Sequence, residues 1–178
     1  MTYELHHLKI LIVEDNQPML NLTRSILQTF GVGTVSTATN GLEGFESFCS
    51  LNHDIIIADW MMRPTDGIAL TKMVRNDQRS PNQYVPIILM TGFGDKDRVI
   101  AARDSGVTEF LVKPFNTRDL YTRLVQVIEK PRQFIRSEEF FGPDRRRKPN
   151  SDFDGDLKRQ TDTASDKYTN LEYFDTVK

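Results

Sequence analysis

The chain has 178 residues, enough for one domain of ordinary size with an addition, or for two very small ones. Its composition, 38% hydrophobic and 27% charged, is that of a soluble globular protein, and a net charge of −2 gives no overall pull toward nucleic acid. One cysteine, Cys49, excludes a disulfide framework and a thiolate metal cluster. The longest apolar run near the start, Ile10 to Val13, is too short for a signal peptide or a membrane span, so the expected setting is the cytoplasm.

Leu8 to Val13 reads as a first strand that runs directly into Glu14-Asp15-Asn16. Pro18 suits the first turn of a helix, in which Met19, Leu22, Ile26 and Phe30 fall at spacings of three and four and predict an apolar stripe. Gly31 and Gly33 stop it. Val35 to Ala38 is a short second strand, and Asn40-Gly41 turns into a helix with Leu42, Phe45, Phe48 and Cys49 as its stripe. That position makes Cys49 a core residue.

Ile55-Ile56-Ile57-Ala58-Asp59 is an apolar, β-branched run bounded by turn chemistry, which predicts a strand buried on both faces. Beyond Gly67, Leu70, Met73 and Val74 mark a third helix. Val85 to Met90 is a fourth strand ending on Thr91-Gly92-Phe93-Gly94, with Pro86 near its start, where a missing donor does least harm. A weaker helix covers roughly residues 95 to 105 and is capped by Gly106. Glu109 to Pro114 is the fifth strand. Asn116 or Thr117 caps a last helix with the stripe Leu120, Leu124, Val127 and Ile128, ended by Pro131. Strict strand–helix alternation implies a parallel sheet with right-handed crossovers and helices on both faces.

The polar residues gather at the strand ends. Glu14 and Asp15 end the first strand, Asp59 the third, Thr91 the fourth and Lys113 the fifth, and in a parallel sheet these ends share one edge. Two like charges about 4 Å apart repel by roughly 4 kcal/mol at an effective dielectric of 20. Three converging carboxylates therefore need a cation, or one must hold a proton. Oxygen-only ligands favour a hard ion such as Mg²⁺. With Lys113 as a fixed positive charge and Thr91 as a hydroxyl donor, the set suits phosphoryl transfer in which the Asp59 carboxylate attacks. Taken singly, each residue has a plainer reading: an acidic pair after a strand is often only a helix cap.

Residues 8 to about 130 resemble the receiver domain of bacterial two-component response regulators. The resemblance rests on Glu14-Asp15, on Asp59 through Asp66-Gly67, on Thr91-Gly92, and on Phe110 three residues before Lys113-Pro114. It implies a flavodoxin-like doubly wound α/β fold with five parallel strands in the order 2-1-3-4-5, the order also found in a chemotaxis receiver. It further implies that Asp59 accepts a phosphoryl group from a histidine kinase or a histidine phosphotransfer protein. Asp15 and Asp59 would bind Mg²⁺ directly, Glu14 through water and Met61 through its carbonyl, while Lys113 and Thr91 hold the phosphoryl oxygens. Phe110 would turn inward as Thr91 moves, changing a protein-interaction surface for a downstream protein and leaving room for a phosphorylation-dependent homodimer. Such a domain acts on itself and is not a dedicated enzyme.

Three features depart from or qualify the family pattern. Arg63 separates Met62 from Pro64, where Met-Pro is usual. Gly92 replaces a small alanine or serine, and Met61 and Phe93 flank the site at positions that influence phosphoryl lifetime.

From Pro131 the periodicity fails. Residues 131–178 form an extension with ten basic and ten acidic side chains and no separate output domain, read as largely disordered or as a docking segment. Phe140-Phe141-Gly142-Pro143-Asp144 followed by Arg145 to Lys148 is its most patterned piece. Asp152 to Asp156 superficially resembles a calcium loop, but no glutamate closes it at the twelfth position. His6 and His7 precede the first strand and His53 stands alone in a loop, none in a ligand pattern. Two alternatives remain: a nucleic-acid-binding regulator acting through Arg145 to Lys148, and a phosphatase using Asp59 as nucleophile. The phosphatase reading lacks a general acid, because the second residue after Asp59 is Met61.

Overall fold

The computed structural model describes residues 4–92, 102, 104–136 and 140–144, together with the strand at 167–169. Its centre is a parallel sheet of β1 (Lys9–Val13), β2 (Thr34–Ala38), β3 (Ile55–Asp59), β4 (Ile87–Thr91) and β5 (Glu109–Val112), ordered β2-β1-β3-β4-β5. Helices α1 (Gln17–Thr29), α2 (Gly41–Leu51), α3 (Gly67–Asn76) and α4 (Thr117–Glu129) connect or follow the strands. The fold is the flavodoxin-like one, and β1 and β3 are direct neighbours, with Val13 opposite Ala58. The expected helix over 95 to 105 lies almost wholly outside the described residues.

The strands are buried because successive side chains serve opposite cores. Leu11 and Val13 join Phe45, Phe48, Leu70 and Val74 beneath α2 and α3. Ile10 and Ile12 join Leu27, Leu120, Leu124 and Val127 beneath α1 and α4. The stripe expected for α4 is therefore the packed one, and Asn116 caps it with a full capping box to Asp119.

Two other stripes differ from expectation. In α1 the inward face is Leu20, Thr23 and Leu27, while Leu22 is 52% exposed and Ile26 and Phe30 are only partly buried. Thr23 broke the apolar pattern and hid the true face. In α2, Leu42 points to solvent and Gly41, Gly44, Phe45 and Phe48 face inward. A Cβ on Gly44 would meet Val13 Cγ2 at 2.8 Å, so this helix lies closer to β1 than a larger residue permits. Cys49 is partly buried against the same core. His53 does lie in a connection but is fully buried, stacked on Phe48 with ring centroids 6.5 Å apart.

Packing continues past Pro131. Strands β6 (Phe134–Arg136) and β7 (Phe141–Pro143) pair antiparallel, and β8 (Lys167–Thr169) pairs with the other edge of β6. Phe134 and Ile135 are buried. Three-residue strands carry too little alternation to register as a pattern. The residues from Arg145 to Lys148 and from Asp152 to Asp156 lie outside the described ones.

Candidate functional site

The acidic site forms where β1 and β3 end side by side. Beyond Val13 the chain continues into Glu14, which is buried, and Asp15, which is exposed. Helix α1 is capped by Asn16, whose side chain accepts from Met19 N at 3.0 Å. The acidic pair is thus not the helix cap. Asn16 N–H donates instead to Glu14 Oε1 at 3.2 Å and helps fix that carboxylate. Neither Asn16 nor its amide was singled out by sequence reasoning.

Asp59 closes β3 and is 8% exposed. Carboxylate oxygens of Glu14, Asp15 and Asp59 all lie within 4.8 Å of one another. Lys113, just past β5, reaches across two strands: its Nζ lies 2.6 Å from Glu14 Oε2 and 2.7 Å from Asp59 Oδ1. Burial and the nearby charge of Asp59 push the Glu14 carboxyl up, against the pull of Lys113. For Lys113, burial acts downward, but the hydrogen bonds and charges of Asp59 and Glu14 outweigh it and the ammonium is held above its ordinary range.

Thr91 ends β4 at the same edge, with Oγ1 donating to Gly92 O at 3.0 Å, and its carbonyl accepts from Lys113 N at 2.7 Å. Phe110 is half-buried against the core beneath α2 and α3. The side chain of Met61 is 67% exposed beside the site. Phe93 lies outside the described residues. Glu14, Asp15, Asp59 and Lys113 are therefore in one cluster, with Thr91 on the adjoining strand end.

The loop after Asp59 is shaped by Gly67, whose role was not legible in the sequence. A Cβ there would stand 2.3 Å from Asp59 O and 2.6 Å from Leu89 Cδ1, so only glycine lets α3 start against β3. Gly67 N–H donates to Trp60 O at 3.1 Å, and Asp66 caps α3 by accepting from Ala69 N at 2.7 Å. Arg63 lies exposed on the intervening loop.

The response regulator receiver domain is matched over residues 10–125. The chain belongs to that family. The receiver is 34% identical over 122 residues to chemotaxis protein CheY1 of Helicobacter pylori, covering 68% of this chain and 97% of that one. It is 30% identical over 123 residues to chemotaxis protein CheY of Pseudomonas aeruginosa, covering 69% and 98%. Among solved structures, a response regulator from Chloroflexus aurantiacus superposes with a TM-score of 0.64 at 27% identity, covering 69% of this chain and 98% of that one. The receiver domain of the sensor histidine kinase PA1611 from Pseudomonas aeruginosa, solved with a magnesium ion in its active site cleft, gives 0.59 at 26%, covering 67% and 94%.

This receiver is accordingly a two-component signalling domain, and proteins of the CheY type are signalling proteins and not dedicated enzymes. No helix among the described residues is long and apolar enough to cross a membrane. Neither alternative gains support. Met61 offers no general acid beside Asp59, and the basic cluster belonging to the nucleic-acid reading lies outside the described residues.

Proposed function

We propose that this receiver accepts a phosphoryl group on Asp59 from a phosphohistidine donor, a histidine kinase or a histidine phosphotransfer protein. The carrying observation is the Lys113 ammonium bridging Asp59 and Glu14 beside three carboxylates whose oxygens lie within 4.8 Å. An Asp59 oxygen bonds to phosphorus as the phosphorus–nitrogen bond breaks, and the electron pair leaves on the donor imidazole. Lys113 and Thr91 steady the charge that shifts onto the phosphoryl oxygens.

The donor set fits Mg²⁺: only hard oxygens, no histidine or thiolate, and a Glu14 carboxyl pushed up by burial and, less strongly, by the charge of Asp59. Asp15 and Asp59 would hold the ion directly, Glu14 through water and Met61 through its carbonyl, and the ion would neutralise phosphoryl charge. The magnesium in the PA1611 receiver supports this reading.

Phosphorylation then biases Thr91 and Phe110 toward a second arrangement and alters the surface read by a downstream protein, with a homodimer as one form of that output. The test is incubation with an acyl phosphate, with and without Mg²⁺, beside Asp59→Ala, followed by intact mass. One Mg²⁺-dependent addition, absent in the variant, is expected. Addition to the variant, or none to the parent even from a phosphorylated kinase, overturns the proposal.

A further inference from the structure

The amino ends of the strands, opposite the acidic edge, carry a second buried assembly. Arg75 of α3 is fully buried, with Nε donating to Gly106 O at 3.0 Å, Nη1 to Gln83 O at 2.7 Å and Val85 O at 2.8 Å, and Nη2 to Thr108 Oγ1 at 3.4 Å. Among the described residues it has no carboxylate partner. The extension covers it: the Phe134 ring centroid lies 5.0 Å from the guanidinium carbon, and Phe134, Phe141 and Tyr84 form a three-ring cluster with centroids 5.2 to 5.6 Å apart. Gly142 packs on Gly106 so closely that a Cβ would stand 2.9 Å from Gly106 Cα.

A second contact lies beside it. Glu109, the first residue of β5, is buried and accepts from Arg132 and from Gln126 Nε2 at 3.0 Å. Arg132 also donates to Asp144 O, and Asp144 N–H closes the β6–β7 hairpin on Gln133 O. Gly106, Thr108 and Glu109 lead into or begin β5 and are thus gripped by Arg75, whose cover is the extension, and by Arg132. Four residues beyond Glu109 stands Lys113, which holds Asp59 and Glu14. Among the described residues β5 is an edge strand paired only with β4, so its two ends are coupled through one short segment. The family match stops at residue 125, so the contacts that Arg132, Phe134 and Gly142 add to this grip come from beyond the matched region.

We propose that residues 131–136 and 140–144 are an intramolecular effector of the acidic site, stabilising the arrangement in which Lys113 pairs with Glu14 and Asp59. The inference rests on phosphorylation of Asp59. A phosphoryl group bonded there places new oxygens between carboxylate and ammonium, so the Lys113 contact must be remade and the carboxyl end of β5 shifts with it. A shift of β5 strains the grip at its other end, and by linkage a loosened grip favours the phosphorylated state.

The test is backbone hydrogen exchange on the full chain in Mg²⁺, before and after phosphorylation by acetyl phosphate, with intact mass read on the same samples. Exchange across 131–144 should quicken about fivefold or more, the low end of ordinary coupling between sites, while β1 amides stay unchanged. Arg132→Gln, which touches nothing in the acidic cluster, should raise the phosphorylated fraction at a fixed low donor concentration, and Arg132→Lys should restore part of the parent behaviour. A mass addition with unchanged or slower exchange overturns this inference alone. No mass addition from acetyl phosphate or from a phosphorylated histidine kinase overturns the phosphorylation reading and this inference with it. Should Arg132→Gln fail to fold, the exchange comparison on the parent chain decides.

Discussion

The ammonium of Lys113 lies 2.7 Å from Asp59 Oδ1 and draws on Glu14 at the same time, so one side chain neutralises two carboxylates that a divalent cation would also use. Under the proposed function, a divalent cation would compete with the lysine for the same oxygens in this arrangement and act beside it once a phosphoryl group supplies more.

Lys113→Met separates those two roles. Removing the competing charge should tighten Mg²⁺ binding roughly tenfold, about 1.4 kcal/mol. Phosphorylation of the same variant should slow by about a hundredfold or more, because a donor to the phosphoryl oxygens is gone. Titration calorimetry and timed intact mass read the two effects. Weaker Mg²⁺ binding in the variant contradicts the competition.

His53 gives the stability of the fold a pH dependence. It is buried, neither ring nitrogen has a hydrogen-bond partner among the described residues, and burial holds its pKa below the ordinary value of 6.5, opposed by Asp54 and aided by Lys9. Below pH 6.5 the unfolded chain takes up a proton at His53 that the folded chain resists. The contribution is therefore fully present above the unfolded pKa and is lost as pH falls through the lowered folded one. Between pH 7 and 5 the parent should lose on the order of 1 kcal/mol more stability than His53→Leu. Urea unfolding at both pH values checks this, and parallel losses refute it.

Arg75 is a structural cation. Burial pushes its guanidinium down to about 9, which still leaves it charged at neutral pH. Arg75→Met strands the carbonyls of Gly106, Gln83 and Val85 and should cost about 3 kcal/mol. Phe134→Ala, which uncovers the same group, should cost a comparable ~3 kcal/mol. Equilibrium unfolding measures both, and because the two share one contact their losses should not add in the double variant.

Gly67→Ala forces a methyl group against Asp59 O and Leu89. We expect a loss of about 2 kcal/mol and slower phosphorylation, since the carbonyl that must yield belongs to Asp59, the proposed acceptor. Gly92→Ala is the control: among the described residues a Cβ there meets nothing within 4 Å, and it should be close to neutral. A neutral Gly67→Ala removes the steric account.

The parallel sheet was legible in the alternation of elements and the acidic cluster in which residue ends each strand, while the strand order came from the family resemblance. The inward faces of α1 and α2 were not, because burial there uses Thr23, Gly41 and Gly44, residues that an apolar count passes over. Arg75 was not singled out in the sequence. Its partners are main-chain carbonyls of Gln83, Val85 and Gly106 and a ring at Phe134, about sixty positions away, none of which leaves a mark in local spacing. The pairing of Glu109 with Arg132 is hidden for the same reason.

The stretch from Trp60 to Asp66 stands on fixed feet. Trp60 N–H is tied to Met90 O and its carbonyl to Gly67 N, while Thr65 O takes Gly41 N–H at 2.8 Å. Met61 and Arg63 occupy the crown of this arch, both exposed. The displacement of proline by Arg63 therefore changes the outline that an approaching molecule meets, and leaves the ground under Asp59 where it was.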